Sequence, residues 1–234
     1  MILLKNAIQE FHFQNIHLYQ MDCMDAMEQM TDKSFSLCIN DPPYGINKDG
    51  QKKTTGGHGG RKEHKQKSWD SSIPDAKYFS ELKRVSQNQI IWGANFYPQY
   101  LTGSMGWIFW DKGQDINQSD GELAYTSFDC ALRRKVLNRV ALLIEGTIHP
   151  TQKPVKLYEW LLTNYAKPGD TIFDSHGGSF SSAIAAYRLG FDFTGMELDK
   201  SYFEAAVKRF KEQTAQMSMF KEIARPEPKQ LTIE

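Results

Sequence analysis

Residues 171–213 read TIFDSHGGSFSSAIAAYRLGFDFTGMELDKSYFEAAVKRFKEQ. TIFD is a short apolar strand ended by an acid, SHGGS a turn, and FSSAIAAYRLG a helix that closes at Gly190. FDFTGMELD is a second strand that again ends in acids, and KSYFEAAVKRFKEQ a second helix. A β-loop-α-β-α unit predicts a parallel sheet with helices on its faces. The turn places Gly177 and Gly178 between strand and helix, and Glu197 ends the next strand about 20 residues later. In a Rossmann-like sheet that spacing lets a ribose reach the carboxylate while the glycines admit close backbone approach. The turn is not GxGxxG, so a nicotinamide dinucleotide is not indicated. Tight strand–helix packing is the competing reason for the two glycines.

Working upstream, residues 15–19 (NIHLY) and 34–40 read as strands around a short amphipathic helix at 22–30. The second strand runs into INDPPYGINKDG, residues 39–50. Pro42 and Pro43 fix φ, push the preceding residue to an extended conformation and remove two backbone donors. The strand end is left with outward carbonyl acceptors, the Asp41 carboxylate and the flat ring of Tyr44. Two adjacent acceptors beside a stacking face suit the exocyclic amino group of a planar base. Between these regions, residues 74–85 have helical spacing, 89–92 and 107–110 read as buried strands, and 155–165 as a helix stopped by KPGD. Residues 124–132 and 136–144 read as further strand or irregular structure.

Length and composition bound the rest. A chain of 234 residues with 40% apolar and 12% aromatic content has enough material for one α/β domain with a proper core. There is no run of about 18 apolar residues for a membrane span, and MILLKNAIQE lacks the apolar core of a signal peptide. The three cysteines are odd in number and far apart, which fits a reducing cytosol and neither a disulfide framework nor a CxxC metal site. His58 and His64 have no matched ligands, so no metal is expected. Lys+Arg and Asp+Glu balance at 28 each, but the segment 48–67 holds seven Lys/Arg against two acids among five glycines. A basic, glycine-rich loop directly after an unusual strand end points to phosphate contact through Lys48, Lys52, Lys53, Arg61 and Lys62. A second basic cluster lies at Arg133, Arg134, Lys135 and Arg139.

With DPPY early and the glycine turn late, the chain resembles the amino-group DNA methyltransferases that use S-adenosylmethionine, in their permuted (β) motif order and close to phage and prophage variants. The resemblance runs from about residue 19 to 210 and rests on LYQMDCMDAMEQM, DPPYGI, IIWGANF, WIFWDKG, SDGELAYTSF, HPTQKPVKLYEWLL and the stretch quoted first. It implies an α/β, Rossmann-like fold: a mostly parallel, seven-stranded twisted sheet with helices on both faces. It implies a single catalytic domain over 1–214, with a DNA-facing basic loop at 47–70 and a charged tail at 215–234. Carried over by position, Asp41, Pro42, Pro43 and Tyr44 are the catalytic set. Asp174, Ser175, Gly177 and Ser179 surround the cofactor's methionine moiety, Glu197 its ribose and Asp22 its adenine. Thr151 and Lys153 lie near its carboxylate, Lys153 by charge pairing.

The implied reaction is methyl transfer to adenine N6 of a base flipped from double-stranded DNA in the cytosol; a homodimer is compatible with the family. Cytosine N4 is the alternative target, and a weak or inactive DNA-binding homologue the other alternative. The second rests on one departure: where the family has GSG, this chain has Gly178-Ser179-Phe180. The Phe180 ring belongs either in the core beneath the helix or in the cofactor pocket.

Overall fold

The computed structural model describes residues 4–50, 63–113, 119–138 and 140–223. Lys52, Lys53, Arg61 and Lys62 lie outside them. In chain order the elements are β1 (Gln9–Phe13), β2 (Ile16–Gln20), α1 (Cys23–Glu28), β3 (Phe35–Asn40), α2 (Ala76–Val85) and β4 (Ser86–Trp92). Two 3-10 turns, Ala94–Phe96 and Pro98–Tyr100, lead to β5 (Ile108–Asp111), β6 (Gly121–Thr126) and β7 (Arg133–Val136). Then come α3 (Val140–Glu145), α4 (Val155–Tyr165), β8 (Thr171–Asp174), α5 (Ser181–Leu189), β9 (Asp192–Glu197) and α6 (Lys200–Ile223).

The strands form one sheet in the order β1-β2-β9-β8-β3-β4-β6-β5-β7. Pairing is parallel from β2 through β4 and between β5 and β7, and antiparallel at β1–β2, β4–β6 and β5–β6. The central strands are apolar at successive residues because both faces are covered. Leu37, Ile90, Ile172 and Phe193 enter one core with α4, α5 and α6, while Cys38, Ile91, Phe173 and Met196 enter a second with α1 and α2.

Among the described residues, nine strands stand where seven are expected from the sequence. The additional ones are short edge strands whose residues are largely exposed, so they leave little apolar periodicity to read. The C-terminal helix also continues through Ile223, into the segment read from the sequence as a charged tail. Nothing stops it sooner, since the first proline after the quoted unit is Pro226.

Parallel pairing brings the carboxyl ends of β2, β9, β8, β3 and β4 to one edge of the sheet. That edge carries Glu197, Asp174, Asn40 and Trp92 as final strand residues, and ligands of open α/β sheets bind at such an edge.

Candidate active site

Asp41 follows directly on β3, and its two oxygens have separate partners. Oδ1 accepts a hydrogen bond from the Tyr44 hydroxyl at 2.6 Å, and Oδ2 meets Lys153 Nζ at 2.5 Å. Burial pushes the Asp41 carboxyl up, against the pull of Lys153. A carboxylate has about four lone-pair sites, so acceptor capacity remains on both oxygens.

The rest of the motif is held from outside. Asp70 Oδ1 accepts from the backbone N–H of Tyr44 at 2.6 Å and of Gly45 at 2.9 Å, and Oδ2 from that of Lys48 at 2.8 Å. The Asp70 carbonyl takes the N–H of Asn47. One buried residue thus fixes the chain after the prolines, which otherwise has no ladder to join. The Tyr44 ring stacks on Phe96 at 5.0 Å with an interplanar angle of 16°. Its edge lies over Gly93, where a Cβ would come within 2.1 Å of the ring and φ is +65°. Glycine is required there twice over, by contact and by backbone.

Lys153, with its side chain 3% exposed, also pairs with Glu122 Oε2 at 3.1 Å, and Glu122 Oε1 with Lys112 at 2.9 Å. Burial acts to lower the Lys153 pKa, but Asp41 and Glu122 outweigh it and hold it raised. Burial likewise acts to raise Glu122, but Lys153 and Lys112 prevail and hold it at about 2. Lys153, expected from the sequence to lie near a cofactor carboxylate, meets Asp41 and Glu122 in this structure. Thr151 does not cap α4: its hydroxyl meets His149 Nδ1 at 3.2 Å, and the first helical N–H, of Val155, is taken by the Glu145 carboxylate.

The glycine turn forms a second cluster on the same edge. Glu197 accepts from the N–H of Gly178 at 2.9 Å and of Asp199 at 2.7 Å, and burial raises its carboxyl to about 7. Met21 N–H meets the Glu197 carbonyl at 3.2 Å, which sets Asp22 beside it. Asp22 caps α1 through Met24 N–H at 2.7 Å. Asp174 takes the Ser182 hydroxyl at 2.6 Å and the His176 N–H at 3.0 Å, and burial raises it to about 7. Ser175 is tied to Asn40 at the end of β3 by its N–H (2.7 Å) and hydroxyl (2.8 Å), a direct clamp between the two halves of the site. Ser179 is buried, its carbonyl held by Arg209, which also pairs with Glu145 at 2.9 Å.

Phe180 takes the first of its two possible places. It is fully buried in the core, with its ring against Gly177 and Gly195 and edge-on to Phe203. Its φ is +49°, so the backbone adopts a left-handed turn there at a strain of about 1–2 kcal/mol.

Over the turn sit Trp69, His149 and Tyr202, with His149 5.2 Å from Trp69 and 4.3 Å from Tyr202 by ring centroid. Lys67 secures them through Asp199 at 2.6 Å. Burial drives His149 down to about 3, so it is neutral. Of the residues named from sequence, the structure gathers Asp41, Pro42, Pro43, Tyr44 and Lys153 in one cluster, and Asp22, Asp174, Ser175, Gly177, Ser179 and Glu197 in a neighbouring one. Asp70, Gly93, Phe96, Lys112 and Glu122 were missed as site residues, although four of them lie in quoted motif blocks. A cleft of about 650 Å³ beside Thr102, Tyr125 and Phe128 contains none of these groups. Among the described residues, no helix is long and apolar enough to cross a membrane.

Residues 132–208 match the model of a family described as DNA methylase. The type II methyltransferase M2.MboI of Moraxella bovis is 22% identical over 86% of this chain and 89% of its own length. M2.DpnII of Streptococcus pneumoniae is 40% identical over 52% of this chain, which spans 50% of that protein. The DNA adenine methyltransferase YhdJ of Escherichia coli (strain K12) is 34% identical over 29% of this chain and 23% of its own length. Among solved structures, the M1.HpyAVI–SAM complex superposes with a TM-score of 0.56 at 19% identity, over 83% of this chain and 98% of that one. PvuII DNA methyltransferase (cytosine-N4-specific) superposes with a TM-score of 0.60 at 13% identity, over 93% and 97%. At such identities the likeness shows the fold.

Proposed function

We propose that the chain is a DNA methylase that transfers a methyl group from S-adenosylmethionine to the exocyclic N6 of adenine in double-stranded DNA. The observation that carries this is the placement of Asp41 and Tyr44 just past the end of β3 and of Glu197 at the end of β9, with β8 alone between the two strands. At about 4.8 Å per strand step, an acceptor-and-stacking site and a ribose-binding site face each other across roughly 10 Å. The likeness to YhdJ, named as a DNA adenine methyltransferase, supports adenine over cytosine.

The residues present suit the cofactor. Glu197 and Asp22 offer carboxylate oxygens to its ribose and adenine, and the turn leaves backbone rather than side chain facing it: Gly178 has φ +53°, with no contact under 3.4 Å at its Cβ position. When bound, the cofactor supplies a methyl group on a sulfonium. Transfer would convert the cofactor's sulfonium to a neutral thioether, and the methylated nitrogen would pass one proton to solvent.

This chain's own part is reception of the base and activation of the nitrogen. The target must leave the duplex at a cost of a few kcal/mol. Stacking on Tyr44, about 1–3 kcal/mol per base, offsets much of it. Asp41 and the Pro42 carbonyl accept the two amino N–H groups, which draws the nitrogen lone pair out of the ring and aims it. Lys48 and the basic segment after it contact phosphate, and the protein works in the cytosol alongside its DNA.

Labelled cofactor incubated with unmethylated DNA, followed by digestion to nucleosides, tests this. Label is expected on N6-methyladenine. Label on cytosine, or none in DNA, would overturn the assignment.

A further inference from the structure

We propose that Glu122 is a positioning residue for this methyl transfer: by sharing Lys153 with Asp41, it takes up part of the lysine's charge and leaves the catalytic carboxylate a stronger acceptor for the target amino group. The inference rests on the function proposed above and extends it to a residue that touches neither substrate.

Lys153 has three N–H donors in a site from which water is almost excluded, and three acceptors surround it. These are Asp41 Oδ2 at 2.5 Å, Glu122 Oε2 at 3.1 Å and the Tyr44 hydroxyl at 3.2 Å. A buried ammonium needs all three. Remove the Glu122 charge, and Asp41 becomes the lysine's sole anionic partner. Its negative charge is then drawn onto Nζ, away from the face that meets the base.

The structure shows why Glu122 can do this without itself burying an unpaired charge. Its second oxygen is met by Lys112 at 2.9 Å. The run Asp41–Lys153–Glu122–Lys112 alternates in sign and sums to zero, linking the end of β3, the entrance of α4, the start of β6 and the end of β5. The lysine is further confined by the Trp92 ring, 5.2 Å from Nζ. Lys153, Glu122, Tyr44, Tyr97, Tyr158 and Asp174 are the groups that act electrostatically on Asp41 or are acted on by it. Burial keeps the three tyrosines neutral. Asp174 ends the neighbouring strand β8, and burial raises its carboxyl to about 7. Glu122 is therefore the negative charge in direct contact with the lysine that can be removed without touching the motif.

Glu122→Gln keeps the size and an acceptor oxygen while removing the charge. It should lower kcat at least tenfold, with DNA and cofactor dissociation constants within twofold of wild type. The acid limb of the kcat profile should move to lower pH, because Glu122 acts to raise Asp41. Glu122→Asp should restore part of kcat and of the profile. Unchanged kcat with an unmoved profile, or a loss confined to binding, overturns the proposal. If Glu122→Gln fails to fold, Lys112→Met leaves Glu122 unbalanced and should shift the profile to higher pH; no shift overturns it. If wild type transfers no methyl group to DNA, the function itself is wrong. Carboxyl NMR titration of Asp41 then separates the two: a downward shift in Glu122→Gln supports the charge sharing, and no shift refutes it.

Discussion

The Phe180 ring lies so close to Gly177 that a Cβ on the glycine would fall 1.9 Å from it. The aromatic that closes the glycine turn is thus a core residue, and Gly177 is small in order to admit it. Gly177→Ala should destabilise the fold by about 1–3 kcal/mol through overpacking, and Phe180→Ala by about 3–5 kcal/mol through the cavity it leaves. Chemical denaturation measures both. Cofactor affinity of a folded Phe180→Leu variant should stay within a few-fold of wild type; a large gain would mean that the ring obstructs the pocket.

Gly93 carries the edge of the Tyr44 ring, and an alanine there both clashes and strains the backbone. Gly93→Ala should keep cofactor binding while reducing methyl transfer by roughly 100-fold, the scale of loss when a reacting group is misplaced by about 1 Å. Isothermal titration together with single-turnover kinetics tests this. Retained transfer would show that Tyr44 does not need its present place.

Asp70 anchors the chain after the prolines by three backbone N–H groups. Asp70→Asn keeps the shape but offers the N–H groups only one acceptor oxygen and no charge. It should cost about 1–3 kcal/mol of stability and weaken DNA binding more than cofactor binding. Equal loss of both would place Asp70 in general folding instead.

Glu197 titrates near 7 when folded, against an ordinary value of 4.5. The native state therefore holds more protons than the unfolded one between these limits, and this group's contribution to stability falls as pH rises through the window. His149 and His176, buried and lowered to about 3 and 4, act with the opposite sign below pH 6.5, so the whole-protein curve mixes both. The difference between Glu197→Gln and wild type isolates the carboxylate. Urea unfolding at pH 5 and pH 8 should show the variant gaining relative to wild type at the higher pH. A difference independent of pH would contradict a raised Glu197.

The legible part of this site consisted of local features. A glycine turn between strand and helix, an acid closing the next strand and a proline-locked strand end are each written within a few residues. The sheet edge that joins them follows from parallel pairing. What stayed hidden is pairing at long range. Lys153 meets Asp41 across 112 positions, and Asp70 holds Tyr44 across 26. A charge in a motif block does not name its partner, so the pairing of Lys153 with Asp41 and Glu122 was not legible. The edge strands β1 and β7 escaped for the related reason that exposed polar residues carry no burial pattern.

The central claim is that Asp41 serves adenine methylation in DNA. It is tested most directly by expressing wild type and Asp41→Ala in a host whose DNA lacks adenine methylation, then reading the modified bases of the genomic DNA by strand-resolved sequencing. The account predicts N6-methyladenine at one recurring sequence with wild type and none with Asp41→Ala. The same methylation with both, or N4-methylcytosine in its place, would contradict it.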